Sequence, residues 1–192
     1  MTASATAPSV RRRLPEHQPR PWTPTRIVWA LARDIGYITH TLVTEADLPD
    51  GSRADLISIS KAGYLTEYEL KVSRSDWHQD ILKERWQAPP ERRNIVKRFF
   101  YVVPETIAQA MPPWLDVNHP AGIVVVHANG PQGYDRINVA REPRFNMQAR
   151  KVTDREKLRY TSRFYYRWWG HRMSELEEQR YRRLHPSSGD PP

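Results

Sequence analysis

The run YLTEYELKV, residues 64–72, places charged side chains at alternate positions of a predicted strand. Side chains two residues apart on a strand share one face, and Glu67, Glu69 and Lys71 must therefore lie on the same side. Two carboxylates and an ammonium in such a row suit either a solvated surface or a group of residues that act together. A group of this kind could bind a hard divalent cation and transfer a proton.

A further acid joins this row if the turn before the strand has three residues. With Lys61-Ala62-Gly63 as the loop and Gly63 in the left-handed conformation, Asp55 lies opposite Glu69. Directly opposed side chains have Cβ atoms about 4.5–5.5 Å apart. A two-residue loop would instead put Asp55 on the other face, and the register therefore decides the prediction. The same register predicts two apolar pairs, Leu56 with Tyr68 and Ala54 with Leu70.

Two opposed carboxylates destabilise a sheet unless a positive charge lies between them. Carboxylate oxygens suit Mg²⁺ or Mn²⁺, and the sequence offers no Cys/His cluster for a softer metal. We therefore predict a metal site formed by Asp55, Glu69 and the backbone carbonyl of Leu70. Lys71 would lie beside the ion, where its amine could orient or deprotonate a bound water. A metal-activated water beside a phosphodiester is the requirement for hydrolysis.

The surrounding pattern predicts one α/β domain with a mixed β-sheet flanked by helices. A first helix, capped by Thr25, ends at Gly36. Ser75 is predicted to cap a helix over residues 75–87. The other predicted elements are strands at 37–46, 53–60, 64–72, 99–103, 121–128 and 134–140, a short helix at 105–111, and a long helix at 154–184.

Composition divides the chain into a core and basic ends. We predict a disordered basic tail over residues 1–21, a core over 22–145, a basic, aromatic-rich helical extension over 146–184 and a disordered tail over 185–192. In the extension a stripe of apolar residues predicts that Tyr165 and Trp169 are buried in the core. The stripe consists of Leu158, Tyr165, Trp169 and Leu176, with Met173 beside it.

The charge distribution predicts a polyanionic partner. The chain of 192 residues carries a formal net charge of +8 and has a pI of about 9.9. Thirteen Lys/Arg against six acids lie in residues 141–183, and four Arg against one Glu in residues 1–20. No apolar run is long enough for a membrane span, and no signal peptide or cysteine is present. We therefore expect a cytoplasmic protein with no membrane contact.

The order RADLI, a short turn, EYELK and then VSRSDW resembles the PD-(D/E)XK nuclease superfamily. The likeness covers roughly residues 25–128 and is greatest to the MmcB-like DNA-repair and phage-type members. It implies a restriction-endonuclease-like fold in which Asp55 and Glu69 hold the metal and Lys71 is catalytic. Ala54 stands where the superfamily pattern has proline. For the upstream acid found in many members, Glu45 is preferred over Asp34, and Glu67 is a further candidate for the metal site.

Several basic or polar side chains are predicted to contact a nucleic-acid backbone. Two follow the lysine directly, others lie on the next helix and loop, and two more lie in the aromatic–arginine run RFYYRWWGHR, residues 163–172. A solvated surface or a helix cap would explain the same residue types. The predicted contact residues are Ser73, Arg74, Lys83, Arg92, Arg93, Arg163 and Arg167.

Together these features predict a Mg²⁺- or Mn²⁺-dependent deoxyribonuclease of DNA repair, DNA processing or phage DNA metabolism. A nuclease acting on RNA would share the chemistry and differ in substrate. The alternative from another class is a non-catalytic nucleic-acid-binding accessory protein that keeps the nuclease fold. The sequence leaves the oligomeric state open, with a homodimer among the options.

Overall fold

A computed structural model describes residues 21–76, 94–109, 120–128 and 134–185. Six strands form one mixed sheet in the order β1-β2-β3-β4-β5-β6. Both predicted tails lie outside the described residues, apart from Pro21 and His185. No helix in the described ranges has both the length and the apolarity to cross a membrane. The elements are α1 (Pro24–Ile35), β1 (Thr41–Asp47), β2 (Arg53–Ile59), β3 (Leu65–Leu70), β4 (Val96–Pro104), α2 (Glu105–Ala108), β5 (Gly122–His127), β6 (Arg136–Arg141) and α3 (Asp154–Leu184).

The sheet confirms the predicted α/β class and mixed topology. β1, β2 and β3 form an antiparallel meander, β3, β4 and β5 run parallel, and β6 returns antiparallel to β5. The predicted three-residue hairpin loop is confirmed, because Ser60 N–H donates to the Tyr64 carbonyl at 3.0 Å. Gly63 has φ +85°, which a glycine adopts without steric cost. The loop fixes the register in which Leu56 pairs with Tyr68.

The N-cap of helix α1 lies two residues earlier than the sequence predicted. Thr23, not Thr25, is the N-cap, and its hydroxyl accepts a hydrogen bond from Arg26 N–H. Pro24 then occupies the first turn, where a missing N–H costs nothing. Gly36 ends the helix as predicted, with φ +82°. After it, residues 37–40 form turns tied to the Gly36 carbonyl, and β1 therefore begins at Thr41 rather than at residue 37.

The two faces of the sheet carry separate apolar clusters, one under each long helix. Ile27 and Leu31 of α1 pack with Leu56, Tyr68 and Leu70 on one face. On the other face, the start of α3 joins a cluster that contains the following buried residues: Ile57, Leu65, Phe99, Tyr101, Val152 and Tyr160. The sheet is therefore a middle layer, and its end near Leu70 lies at the edge of both clusters.

The alternation of side chains breaks where β1 and β2 approach that end. Ala54 packs in the cluster under α3, whereas Leu70 packs under α1, and the predicted Ala54–Leu70 apolar pair is wrong. The break coincides with Glu45, which has φ +50°. Thr44 pairs with Leu56 and Ala46 pairs with Ala54, and Asp55 therefore lies across from this left-handed residue. The side chains of β2 therefore leave the regular alternation beside this irregular residue of β1.

Helix α3 has the predicted bounds, and a capping box defines its start. Thr153 accepts from Glu156 N–H, and the Glu156 carboxylate accepts from Thr153 N–H at 2.9 Å. The Arg150 guanidinium donates to both Glu156 oxygens, and it is the main reason why the pKa of Glu156 is lowered to about 2. The helix is thus held in place at its first turn beside Gly63, whose carbonyl accepts from Val152 N–H.

The prediction that the stripe of α3 lies in the core is wrong. Tyr165 and Trp169 are 55% and 41% exposed, and Leu158 is 66% exposed. The helix docks instead through Tyr160, which is 2% exposed, and through Phe164 one turn further on. Tyr160 and Phe164 are four residues apart and therefore lie on the same face of the helix. This face, rather than the longer stripe, packs against the sheet. The stripe consequently faces outward.

Candidate active site

A cleft of about 540 Å³ opens at the end of β3, between α1 and β1. Asp55, Glu69 and Lys71 all line it, and the prediction that these side chains share one site therefore agrees with the structure. Four acids and one lysine are among the lining residues, although the chain as a whole is strongly basic. The remaining lining residues are Pro24, Thr25, Val28, Thr44, Glu45, Leu70, Val72 and Asp76.

Asp55 is fixed by a hydrogen bond to the strand that carries Glu69. Leu70 N–H donates to Asp55 Oδ2 at 2.8 Å. Ser60 and Tyr64 form a hydrogen-bonded pair, and continuation of that alternation would give the Leu70 N–H to the Ala54 carbonyl. The Asp55 carboxylate takes this donor instead. This hydrogen bond uses one of about four lone-pair positions of the Asp55 carboxylate and fixes the carboxylate in the cleft.

Lys71 is buried together with the acid it contacts. Its side chain and that of Glu69 are 2% and 6% exposed, and Nζ donates to Glu69 Oε1 at 2.9 Å. Asp76 Oδ1 lies 3.6 Å from the same Nζ and is 41% exposed. The backbone holds the lysine as well, since Lys71 N–H donates to the Val102 carbonyl. A buried ammonium needs paired acids of this kind, and the arrangement fixes its position to one place in the cleft.

The two other acids proposed for the site differ in their surroundings. Glu67 is 2% exposed and pairs across the sheet with Ile57, and it is not among the lining residues. Glu45 lines the cleft, but its carboxylate oxygen Oε2 contacts two arginines, Arg53 and Arg167. The distance from Oε2 to Arg167 Nη1 is 3.1 Å. Glu45 therefore belongs to the wall that joins β1 to α3.

Ser73 makes the helix-capping hydrogen bond that was predicted for Ser75. Ser73 Oγ accepts a hydrogen bond from Asp76 N–H at 3.1 Å, and residues 74–76 are helical. Ser73 is therefore the N-cap, and the prediction that Ser75 caps this helix is wrong. The cap aims the start of the helix, with Asp76 in its first turn, at Lys71. The helix predicted beyond it, with Lys83, and the loop with Arg92 and Arg93 lie outside the described residues.

Arg163 and Arg167, predicted to bind nucleic acid, contact the edge strand of the sheet in the structure. Arg163 Nη1 lies 2.8 Å from Asp47 Oδ2. Arg167 donates to the carbonyls of Thr44 and Glu45. These contacts bring the middle of α3 against the wall of the cleft. Nucleic-acid binding by the two arginines stays a prediction.

Asp76 is the site residue that sequence reasoning missed. It lies five positions after Lys71, in the first turn of a helix from which only Lys83 was predicted to act, as a nucleic-acid contact. An acid in that turn was a usable signal, because the helix must start close to the end of β3. The structure adds it to the carboxylates around the Lys71 ammonium.

The donor set of the cleft fits a hard divalent cation. Asp55 and Glu69 supply carboxylate oxygens, and Leu70, which directly follows Glu69 in the chain, lines the same cleft and could add its backbone carbonyl. Within the described ranges no three His, Cys, Asp or Glu side chains cluster as a metal site. Two carboxylates with a backbone carbonyl and water are the type of shell that Mg²⁺ accepts, since it keeps several waters. The acidic lining supplies the charge that such an ion would neutralise.

The mixed sheet and the acid–lysine cleft are consistent with the PD-(D/E)XK superfamily. The chain matches the family of MmcB-like DNA repair proteins over residues 9–155, and it belongs to that family. No curated protein matches it significantly. A solved structure, the SPO1766 protein of unknown function from Silicibacter pomeroyi, is similar with a TM-score of 0.48 and 18% identity. That similarity covers 88% of this chain and 97% of the other.

Proposed function

We propose that the protein is a divalent-metal-dependent nuclease that hydrolyses DNA phosphodiester bonds in DNA repair or processing. The proposal is supported chiefly by the convergence of Asp55, Glu69 and Lys71 on one cleft. Membership of a DNA repair family supports DNA as the substrate. A nuclease also explains why a basic protein has an acidic cleft, because a polyanion can approach these carboxylates only with a cation between them.

Asp55, Glu69 and the Leu70 carbonyl would hold Mg²⁺ or Mn²⁺. When bound, the ion would supply positive charge for the phosphate oxygens and acidify a water. The protein contributes position: Leu70 N–H orients Asp55, and Lys71 orients Glu69. The Lys71 ammonium, held between Glu69 and Asp76, would first pass a proton to the part-exposed Asp76 carboxylate. Its neutral amine would then orient the attacking water and take up the proton of that water at Nζ.

A cleavage assay on labelled duplex, single-stranded and branched DNA and on RNA tests the proposal. We expect cutting with Mg²⁺ or Mn²⁺ and none with a chelator. Asp55→Asn should lower the rate about 10³-fold, and Lys71→Met by about 10²–10⁴-fold, the usual contribution of a proton-transfer group. Both variants should still bind DNA.

The matched control is Glu142→Gln, which removes an exposed carboxylate just beyond the far edge strand β6. It should cut like the wild type. Equal cutting by wild type, Asp55→Asn and Lys71→Met would contradict the proposed mechanism. DNA binding without cutting of any substrate would favour the accessory protein instead.

A further inference from the structure

Helix α3 continues well past the part that packs on the sheet. After Arg167, whose side chain reaches Thr44 and Glu45, the side chains from Trp168 to Arg182 are all exposed. Most helical stability in proteins comes from packing of an apolar face, and the described chain leaves this part of the helix exposed. Almost all of α3 also lies beyond residues 9–155, the part shared with the DNA repair family. The helix is thus a feature of this chain that the proposed cleavage site does not explain.

The outward side of α3 carries a narrow apolar stripe. Leu158 and Leu176 are 66% and 39% exposed, and Tyr165 and Trp169 lie between them with ring centroids 6.1 Å apart. Eighteen residues make five turns of an α-helix, and the two leucines therefore share one angular position around its axis. We name Leu158, Tyr165, Trp169 and Leu176 the outer stripe. Exposed apolar side chains in register over five turns are typical of a helix-docking surface.

The outer stripe is symmetric about Arg167. Leu158 and Leu176 are each nine positions from this residue, and Tyr165 and Trp169 are each two positions from it. A two-fold axis perpendicular to the helix at this level would therefore place Leu158 of one copy against Leu176 of another. It would also place Tyr165 against Trp169. Self-complementarity of this kind is the requirement for an isologous dimer interface.

The flanking charges follow the same symmetry with opposite sign. Leu158 lies in the triplet Lys157-Leu158-Arg159, and Leu176 lies in the triplet Glu175-Leu176-Glu177. Corresponding positions of the two triplets are again five turns apart and share an angular position. In an antiparallel pair such positions face each other, because a perpendicular two-fold axis relates like sides of the two helices. Each basic triplet would therefore meet an acidic triplet.

We propose that the outer stripe of α3 binds the outer stripe of a second copy as an antiparallel helix pair. The leucines and aromatic rings form its apolar seam. Lys157 faces Glu175 of the second copy, and Arg159 faces Glu177, and each contact occurs twice. Arg155 of one copy would lie near Arg180 of the other, at each end of the seam. Salt would screen the repulsion between these solvent-exposed charges.

The charges near the aromatic rings favour a second copy over nucleic acid as the occupant. Arg163 and Arg167 are already in ion pairs with Asp47 and Glu45. Glu175 contacts Arg172 of its own helix and would share its carboxylate with Lys157 of the second copy. The acidic triplet on the same stripe would repel phosphates. Arg167 lies about 200° around the helix from Tyr165, and the pair would therefore leave the cleft beside Glu45 open in both copies.

Sedimentation equilibrium of the full chain, without nucleic acid, tests the pairing. The wild type should have about twice the chain mass of 22.6 kDa. Leu176→Glu places a carboxylate at both leucine contacts and should raise the dimer dissociation constant at least about 100-fold, roughly tenfold for each of the two contacts. Tyr181→Glu is the control, since Tyr181 is 64% exposed and lies on another side of the helix. It should remain dimeric.

A charge exchange fixes the orientation of the pair. One variant carries Lys157→Glu and Arg159→Glu, and the other carries Glu175→Lys and Glu177→Arg. Each should be monomeric alone, because like triplets meet, and a 1:1 mixture should form a heterodimer. Circular dichroism confirms that each variant is folded.

Four results would overturn the proposal. The first is a monomeric wild type at high micromolar concentration. The second is a Leu176→Glu variant that stays dimeric. The third is a mixture of folded charge variants that stays monomeric. Association that appears only when single-stranded DNA is added would assign the outer stripe to nucleic acid and would also overturn it. None of these results depends on whether the cleft cuts DNA.

Discussion

The cleft and the outer stripe of α3 are both unusual in the burial of their side chains, but in opposite ways. In the cleft, charged side chains are buried: those of Lys71 and Glu69 are 2% and 6% exposed. On the outer stripe, large apolar side chains are exposed, with Tyr165 at 55% and Leu158 at 66%. Both placements cost free energy in the isolated chain, since buried charges and exposed apolar patches are each unfavourable.

The contrast teaches that the two regions need different partners. The cleft has contacts within the chain for each charge, and its acidic lining leaves room for a cation and a phosphate. The side chains of the outer stripe are exposed in the described chain, and the stripe is complementary to itself. The first region lies within the part matched to the DNA repair family, and the second lies almost wholly outside it. We therefore propose that the shared core carries the chemistry and that the helix that follows carries the association.

The largest stability effect should come from Lys71. Lys71→Met leaves Glu69 buried without its ammonium, which should lower the free energy of unfolding by about 3–5 kcal/mol. Adding Glu69→Leu removes the stranded carboxylate, and the double variant should recover most of the loss. Urea unfolding in the presence of a chelator measures both. A double variant no more stable than Lys71→Met would show that the pair is not a coupled buried unit.

Two tyrosines on the same helix sharpen the contrast between packed and exposed faces. Tyr160→Ala, at a site 2% exposed, should cost about 3–5 kcal/mol of unfolding free energy. Tyr166→Ala, at a site 72% exposed, should change it by less than about 0.5 kcal/mol. Both are measured by urea unfolding in the Leu176→Glu background, which keeps association out of the result. Equal losses would mean that α3 docks through a different face.

Local signals predicted the elements that carry the site. Gly63 fixed the hairpin loop because a three-residue turn needs a left-handed residue there, and the register then brought Asp55 towards Glu69. The bounds of α3 agree with the prediction, and its start is held by a capping box whose members, Thr153 and Glu156, are three residues apart. These features depend on residues close in sequence, and one chain is enough to reveal them.

The sequence failed where the outcome depended on what else packs nearby. Thr23 and Thr25 are both acceptable caps, and Pro24 at the first helical position decides between them. Trp169 lies on the longer apolar stripe, but Tyr160 and Phe164 meet the sheet first. Asp76 joins the cleft only because Ser73 caps the helix before it. Where two caps or two helix faces are equally acceptable locally, tertiary contacts decide which one the protein uses.

Calorimetric titration with Mn²⁺ tests the central claim most directly, since it asks whether Asp55 and Glu69 act as one cation site. We predict that the wild type binds Mn²⁺ with a stoichiometry of about one per chain, and that Asp55→Asn abolishes this binding while Glu142→Gln leaves it unchanged. Circular dichroism must show that the Asp55→Asn protein is folded. Undiminished Mn²⁺ binding by folded Asp55→Asn, or no binding by the wild type, would contradict the account.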